Sequence, residues 1–339
     1  MSSATKPQHD QQLMHCMEVW GGNQTIDTSL QIAGLDAHVY SKPFGGSAGG
    51  GDVYYVSACA TGRITRLLIA DVCGHGATVC DTAATLRGLM RRYVNFIDQT
   101  KFVRAMNEQF TAMSAANCFA TAIVTTFFAP TGRLSLCNAG HPPPLLYRAA
   151  TDEWSILEES PATAEAMAAD DRDLNIPLGL IDATPYEQFE VDLEVGDAVV
   201  CYTDALIESC DAQGGDLGTR GLLDCARRTP RPDAADFVPR LLAHLTEQNP
   251  RNLANDDVTV LLFRANGTGR TTPLRDKSLA PWRVLRGTLR ALYGRERPPL
   301  PELSVANVGG ALVDRLSHAG HRKDRRPAKG TVRGPAEVG

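Results

Sequence analysis

The stretch LLIADVCGHG, residues 67–76, constrains the fold of this chain more than any other segment. Four apolar residues, Leu67–Ala70, predict a buried strand, and this strand ends on a single carboxylate, Asp71. A turn with two glycines follows, and glycine lets the backbone approach a neighbour closely. A helical pattern then begins near Ala77. This order places a negative charge at the rim of a rigid sheet, which is a common setting for a charged ligand.

The composition of the 339 residues is that of a globular protein that can bury a core, since 43% of the residues are hydrophobic and 22% are charged. The formal net charge of -5 does not indicate nucleic-acid binding by the whole chain. The charge is unevenly distributed, because residues 265–339 hold fifteen Lys and Arg against six Asp and Glu. The body of the chain is therefore acidic and its tail basic. An acidic body fits a protein that collects carboxylates around cations, and it fits a need for solubility equally well.

The nine cysteines indicate a reducing compartment. Their number is odd and no two of them form a CxxC pair, so neither a disulfide framework nor a zinc site is expected. The first twelve residues are polar and lack the apolar core of a signal peptide. No apolar run approaches the ~18 residues that a membrane-spanning helix needs. We therefore expect a cytoplasmic protein.

Apolar patterning divides the chain into three parts. Residues 1–34 are interpreted as an N-terminal extension that packs on a domain of residues 35–264. In this domain apolar runs predict strands, and stripes of apolar residues at helical spacing predict amphipathic helices that lie on a sheet. The strands are expected at Ala37–Tyr40, Val53–Cys59, Leu67–Ala70, Phe119–Phe128, Leu134–Leu136, Asp197–Thr203 and Val258–Phe263, and the helices around Val79–Tyr93, Phe102–Met113 and Phe237–Leu245.

The third part is the basic tail, residues 265–339, which has no strand pattern and is expected to be largely disordered. Within it, Pro281–Arg297 combines apolar residues with arginines and predicts a basic amphipathic helix. Two interpretations of this helix stay open. It docks on the acidic body of the chain, or it contacts a partner or a membrane surface.

Acidic residues lie at the ends of predicted strands at four positions: Asp52, Asp71, Asp204 and the pair Asp256 and Asp257. Each of them taken alone is most simply a turn or capping residue. The strand ends of one sheet can converge, however, and converging carboxylates repel one another unless cations neutralise them. Sites made of oxygen ligands suit hard divalent cations such as Mg²⁺ and Mn²⁺. Four such acids in an acidic body therefore predict a site for divalent cations.

Six segments carry a resemblance to a known family, and they occur in the family's order and spacing from about residue 35 to 264. They are GGGD at Gly49–Asp52, ADVCGHG at Ala70–Gly76, NAGHPPP at Asn138–Pro144, PLGL at Pro177–Leu180, YTDALIE at Tyr202–Glu208 and NDDVTVLL at Asn255–Leu262. With them the chain resembles the PPM-type metal-dependent protein serine/threonine phosphatases, which are protein phosphatase 2C-like, and among these the bacterial SpoIIE-type branch of partner-switching regulation. The resemblance implies an α+β fold, a four-layer αββα sandwich of two antiparallel β-sheets flanked by helix pairs. It also implies two Mn²⁺ or Mg²⁺ ions at one end of the sandwich.

The resemblance assigns roles to five residues. Asp52 matches the acid of the family's GGD segment and would hold one metal ion. Asp71 matches the acid of the GDVSGHG segment and would bridge both ions, with the backbone carbonyl of Val72 as a further ligand. Asp204 and Asp256 match the acids of the YTDG and DD segments, and both would hold the other ion.

Catalysis would then depend on Asp71 and on a water activated between the ions, which attacks phosphorus opposite the departing Ser or Thr oxygen. His75 is a candidate proton donor to that oxygen, although a turn histidine bonded to backbone is the plainer interpretation. His141 is interpreted as structural, and Asp257 as a turn residue or a support of the ligands. The chain departs from the family pattern, without losing a ligand, at Tyr55 in place of a second acid, Cys73 in place of a serine and Ala205 in place of a glycine.

Three functions remain open at this point. The first is a phosphoprotein phosphatase that needs Mn²⁺ or Mg²⁺ and acts on phosphoserine or phosphothreonine of a phosphorylated protein substrate, by resemblance an anti-sigma-factor antagonist. The second is a catalytically silent scaffold that keeps the fold and binds a signalling partner. Retention of all four acids favours the enzyme, because a silent relative is expected to lose at least one ligand. The third, a phosphatase of small molecules, differs from the first in the shape of its groove.

Overall fold

The computed structural model describes residues 12–13, 19–59, 62–74, 77–94, 96, 98–113, 118–158, 175–182, 184–229, 231 and 236–269. The strands in this part of the chain are β1 (Gln12–Leu13), β2 (Val19–Gly22), β3 (Ile26–Ile32), β4 (Leu35–Lys42), β5 (Asp52–Ala58), β6 (Ile64–Val72), β7 (Ala120–Phe128), β8 (Arg133–Ala139), β9 (Leu145–Arg148), β10 (Glu153–Ile156), β11 (Gln188–Asp192), β12 (Ala198–Tyr202) and β13 (Val258–Ala265). The helices in the same ranges are α1 (Ala77–Tyr93), α2 (Gln99–Met113), α3 (Gly218–Arg228) and α4 (Phe237–Gln248).

These strands form two sheets. The seven-stranded sheet has the order β1-β3-β4-β13-β12-β9-β10, and the six-stranded sheet has the order β11-β8-β7-β6-β5-β2. The pairings of the described strands are antiparallel except for the two-residue contact of β1 with β3, which is parallel. In the six-stranded sheet β6 lies between β5 and β7. This inner, buried strand is the one that the LLIADV segment predicts.

Three apolar cores separate four layers. The core between the sheets contains residues of both, such as Ile69 of β6 and Phe263 of β13. A second core joins α1 and α2 to the outer face of the six-stranded sheet, and a third joins α3 and α4 to the outer face of the seven-stranded sheet. Each fully buried large apolar side chain contributes about 1.5–3 kcal/mol relative to an exposed one. The order of helix pair, sheet, sheet and helix pair confirms the αββα sandwich and the α+β class.

Strand alternation decides which side chains of β5 enter which core. Tyr54 and Val56 lie in the core between the sheets, whereas Val53 and Tyr55 pack under α1 and α2. Asp52 is two residues before Tyr54 and therefore points to the same side of the strand. Its carboxylate lies between the sheets, at the end of β5. The apolar core between the sheets therefore ends on an acid.

The two sheets include residues on either side of the range 35–264. Strands β2 and β3, before residue 35, pair with β5 and β4. At the other end β13 continues to Ala265, and the side chain of Asn266 donates to Asp36 at 2.9 Å. Strand β3, IDTSLQI, was missed although Ile26, Thr28, Leu30 and Ile32 alternate with three polar residues, because the segment lies in a mostly polar part of the chain.

Other elements have no counterpart among the predicted ones. Helix α3 contains two glycines in eleven residues, and β10 and β11 are short strands at sheet edges with several exposed positions.

Two predicted features, His75 and the helix Pro281–Arg297, lie outside the described residues. Among the helices that the structure describes, none has the length and apolar character needed to span a bilayer.

One buried side chain, Asn107 of α2, fixes the loop that carries the PLGL segment. Its amide nitrogen donates to the carbonyl oxygens of Ile181 at 2.8 Å and Asp182 at 3.1 Å. Its side-chain oxygen accepts the N–H of Gly179 at 2.8 Å. Both the donor and the acceptor atom of this amide are directed at one loop, so Asn107 fixes that loop to α2.

Asn107→Ala should therefore lower the free energy of unfolding by about 1–3 kcal/mol, because three backbone groups of the loop lose their hydrogen bonds to the buried amide. Chemical denaturation measures the change. Glu108→Ala, at an exposed position of the same helix, is the control and should change the stability by less than about 0.5 kcal/mol. Equal stability of the two variants would contradict the role of Asn107.

Candidate functional site

Asp52 and Asp71 are direct neighbours in the six-stranded sheet. They are cross-strand partners in the register of β5 and β6, and such partners have Cβ atoms about 4.5–5.5 Å apart on the same face. Asp52 is 2% exposed, and Asp71 is half-buried. Burial raises the pKa of Asp52 well above its usual value and the charge of Asp71 raises it further, while hydrogen bonds from Thr203 and Thr259 act in the opposite direction. The structure thus brings two of the predicted ligands together.

Asp204 and Asp256 reach the same space from the seven-stranded sheet. Asp204 lies two residues after β12 and Asp256 two residues before β13, and these strands are paired. Burial raises the pKa of Asp71 to about 7, and the charges of Asp204 and Asp256 are the next causes. Burial likewise raises the pKa of Asp204 to about 6, followed by the charges of Glu208 and Asp256. The four predicted acids therefore act on one another across the two sheets.

These carboxylates face one another without converging on one point. Within the described ranges, no three Asp, Glu, His or Cys side chains are arranged as the ligands of one ion. Like charges in a partly buried space repel, and a divalent cation would offset that repulsion. The donors are oxygens, and a hard cation of this kind takes one or two carboxylates together with waters. In their chemistry the residues present therefore fit Mg²⁺ or Mn²⁺.

The backbone carbonyl of Val72 is directed at the start of β5. A Cβ added to Gly51 would lie 2.7 Å from this oxygen. The N–H of Val72 donates in turn to the carbonyl of Gly51 at 3.3 Å. Because Gly51 directly precedes Asp52, the Val72 carbonyl lies beside the acidic cluster, as the resemblance requires of a further ligand.

Asp257 supports the glycine-rich loop that precedes Asp52. Its two carboxylate oxygens accept the backbone N–H groups of Phe44 and Gly51, both at 2.6 Å. The loop passes so close that a Cβ on Gly50 would overlap this carboxylate. Both carboxylate oxygens of Asp257 are therefore bonded to the backbone, and they fix the position at which β5 begins.

His141 is a neutral histidine that joins the two sheets. Its Nδ1 lies 2.7 Å from the hydroxyl of Thr121 on β7, and its Nε2 lies 3.0 Å from the carbonyl of Tyr202 on β12. Because a carbonyl only accepts, Nε2 carries the proton and Nδ1 accepts from the Thr121 hydroxyl. Burial lowers the pKa of His141 to about 3, against a smaller opposite effect of the bond to Tyr202. The ring connects the strand beside Asp71 to the strand before Asp204.

Three residues of the site were missed by the sequence reasoning. Glu208 is exposed and lies one turn after Asp204, whose carbonyl accepts its N–H at 2.9 Å. The hydroxyl of Thr203 donates to Asp52, and the backbone N–H of Thr259 donates to Thr203. Two signals in the sequence could have found them: the spacing of four between Asp204 and Glu208, and a hydroxyl at an inward position of an apolar strand.

An αββα sandwich with acids from both sheets at one end defines the class of protein phosphatase 2C-like, PPM-type folds. A family model described as Stage II sporulation protein E (SpoIIE) matches residues 61–266, which is more than half of the chain. The chain therefore belongs to the SpoIIE family, and it is a SpoIIE-like member of the PPM type.

Solved structures share this fold. The RsbU and RsbW domains of Rv1364c from Mycobacterium tuberculosis align with a TM-score of 0.57 and 23% identity over 79% of this chain and 71% of that one. The PP2C phosphatase domain of the cell fate determinant SpoIIE from Bacillus subtilis, with a fragment of its regulatory domain, aligns with a TM-score of 0.54 and 15% identity over 74% of this chain and 64% of that one. RsbX in complex with magnesium aligns with a TM-score of 0.50 and 16% identity over 71% of this chain and all of that one, 100%.

In the absence of divalent ions, Asp71→Asn should stabilise the protein at pH 8, because it removes one of several repelling carboxylates. The pKa of Asp71 is raised to about 7 in the folded state, so the stability falls as the pH rises from about 4 to about 7. The variant should therefore gain about 1–3 kcal/mol at pH 8 and little at pH 4. Chemical denaturation with a chelator at both pH values measures this. A variant that is less stable than the unaltered protein at pH 8 would contradict the repulsion.

Gly50→Ala should lower the free energy of unfolding by about 2–4 kcal/mol, since the new methyl group overlaps the Asp257 carboxylate and separates it from the loop. Gly88→Ala on α1 is the matched control, because a Cβ there meets no atom within 4 Å. That variant should gain about 0.5–1 kcal/mol from the better helix propensity of alanine. Urea denaturation compares the two, and equal stabilities would show that the loop does not depend on Asp257.

Proposed function

We propose that this protein is a metal-dependent phosphoprotein phosphatase that hydrolyses phosphoserine or phosphothreonine on a signalling protein. Membership of the SpoIIE family and the PPM-type fold support a phosphatase of this general kind. All four acids that the family pattern calls for are retained, at Asp52, Asp71, Asp204 and Asp256. RsbX, which shares the fold, is described in complex with magnesium, and this supports a divalent ion as the cofactor.

A single observation carries the proposal. Carboxylates from two different sheets lie close enough at one end of the sandwich to raise the pKa values of Asp71 and Asp204. Buried like charges destabilise a fold, so their retention indicates a use that offsets this cost. Two bound Mn²⁺ or Mg²⁺ ions are such a use, because they turn mutual repulsion into shared coordination.

Residues of both sheets would serve as metal ligands. Asp52 and the Val72 carbonyl would hold one ion from the six-stranded sheet, and Asp204 and Asp256 would hold the other from the seven-stranded sheet. Asp71, the cross-strand partner of Asp52, would bridge the two ions. When bound, two such ions lower the pKa of a water to near neutrality and offset charge on the phosphoryl oxygens.

Access and proton transfer complete this assignment. Asp71 and Asp204 are half-buried rather than enclosed, so a phosphoester can approach them from solvent. His75 is the candidate for giving a proton to the departing Ser or Thr oxygen. No side chain of this set has to form a covalent bond to phosphorus, because the nucleophile in this mechanism is a water.

The substrate would be a phosphorylated signalling protein, and the resemblance to the SpoIIE-type branch favours an anti-sigma-factor antagonist. The cysteine content fits a cytoplasmic location. The basic tail, residues 265–339, is the candidate for contact with a partner or a membrane surface. A truncation that tests the tail should end after Gly269, because residues up to that point still pack on the sheets.

Phosphate release from a phosphoserine peptide tests the proposal. The full chain should turn over only with Mn²⁺ or Mg²⁺ and stop when EDTA is added. Asp71→Asn should lower the rate by about 10²–10³-fold, because one charge that would bridge the ions is lost. Asp224→Asn, an exposed carboxylate on α3, is the matched control and should keep nearly the full rate.

The outcomes separate the candidate functions. Turnover that persists in EDTA would contradict the metal-dependent mechanism. Hydrolysis of small phosphomonoesters but of no phosphoprotein would favour the small-molecule phosphatase. A folded protein without activity on any phosphoester would favour the catalytically silent scaffold in a partner-switching pathway.

A further inference from the structure

The core between the sheets ends in a polar layer on the side of the carboxylates. Ser41 of β4, Thr203 directly after β12 and Thr259 of β13 have the strand parity that places their side chains between the sheets. The residues two positions away on each of these strands belong to the inter-sheet core. All three hydroxyl residues are at most 1% exposed. Asp52 enters this layer from the opposite sheet.

The hydroxyls form a connected network around Asp52. Oγ1 of Thr203 lies 2.8 Å from Oδ2 of Asp52 and accepts the backbone N–H of Thr259 at 3.0 Å. The hydroxyl of Thr259 lies 2.9 Å from Oγ of Ser41. Thr203 therefore contacts a carboxylate of the six-stranded sheet directly, and Thr259 of the neighbouring strand holds Thr203.

Counting protons fixes the direction of the bond between Thr203 and Asp52. A hydroxyl has one proton, and an ionised carboxylate only accepts. The Thr203 hydroxyl must therefore donate to Asp52. Its oxygen is left to accept the backbone N–H of Thr259. Both bonds of this hydroxyl thus hold it in the orientation that serves Asp52.

We infer that Thr203 is a positioning residue, which orients the Asp52 carboxylate for a divalent cation. The inference rests on the proposed function. A neutral hydroxyl fixes the direction of a carboxylate without cancelling its charge, whereas a Lys or Arg in the same place would neutralise the ligand. Thr203 is also followed directly by Asp204. The same short segment therefore orients a ligand of the opposite sheet and carries one of its own.

Thr203→Val tests this role, because valine keeps the shape of threonine and removes the hydroxyl. Titration of the full chain with Mn²⁺ by calorimetry should show binding about 10–100-fold weaker for this variant. Thr203→Ser keeps the hydroxyl and should bind Mn²⁺ nearly as the unaltered protein does. Thr125→Val is the matched control, since Thr125 is equally buried and its hydroxyl donates to the carbonyl of Leu67 at 2.8 Å.

The control separates positioning from packing. Loss of a buried hydroxyl bond should destabilise Thr125→Val and Thr203→Val alike in urea, but only the second should lose affinity for Mn²⁺. Unchanged Mn²⁺ affinity in a folded Thr203→Val variant would overturn the inference. Equal loss of affinity in Thr125→Val would also overturn it, because the effect would then be a general loosening of the fold.

A second measurement needs no metal. In a chelator, a double-mutant cycle of Asp52→Asn and Thr203→Val should show coupling of about tenfold in the unfolding equilibrium constant. Additive effects would overturn the contact between the two residues. If the unaltered protein neither binds Mn²⁺ nor releases phosphate, the proposed function fails. The cycle then still decides whether Thr203 holds Asp52.

Discussion

The contact between Asp52 and Asp71 is the constraint on which the rest of this structure depends. Two acids paired across adjacent strands at the end of a buried sheet oppose folding, because burial and mutual repulsion both disfavour their charges. The remainder of the molecule is arranged so that this pair persists. The three apolar cores supply the stability, and the acids lie where the core between the sheets stops.

The surroundings of the pair hold it in place with neutral groups. The Thr203 hydroxyl donates to Asp52, and the neutral ring of His141 bridges the two sheets. The nearby Asp257 accepts two backbone N–H groups and holds the loop. The neighbouring charges that most shift the pKa values of Asp71 and Asp204 are themselves carboxylates, so the site keeps a strongly negative character.

This arrangement ties the position of the acids to the fold. The acids come from the ends of strands in both sheets, so their relative positions follow from the sandwich itself. Identities of 15–23% with the solved structures leave the sandwich intact, because apolar residues can exchange as long as the alternation is kept.

The sequence by itself determined the buried strand before Asp71, the apolar stripes of α1, α2 and α4, the six ordered segments and the four acids. These are local features, since strand parity, helical spacing and turn glycines depend on neighbours in the chain. Only the tertiary structure decided that β2 and β3 belong to the sheets, that Glu208 lies near the acids, and that Thr203 holds Asp52. Thr203 and Asp52 are 151 positions apart in the chain, and they meet only because two sheets pack face to face, which no local pattern encodes.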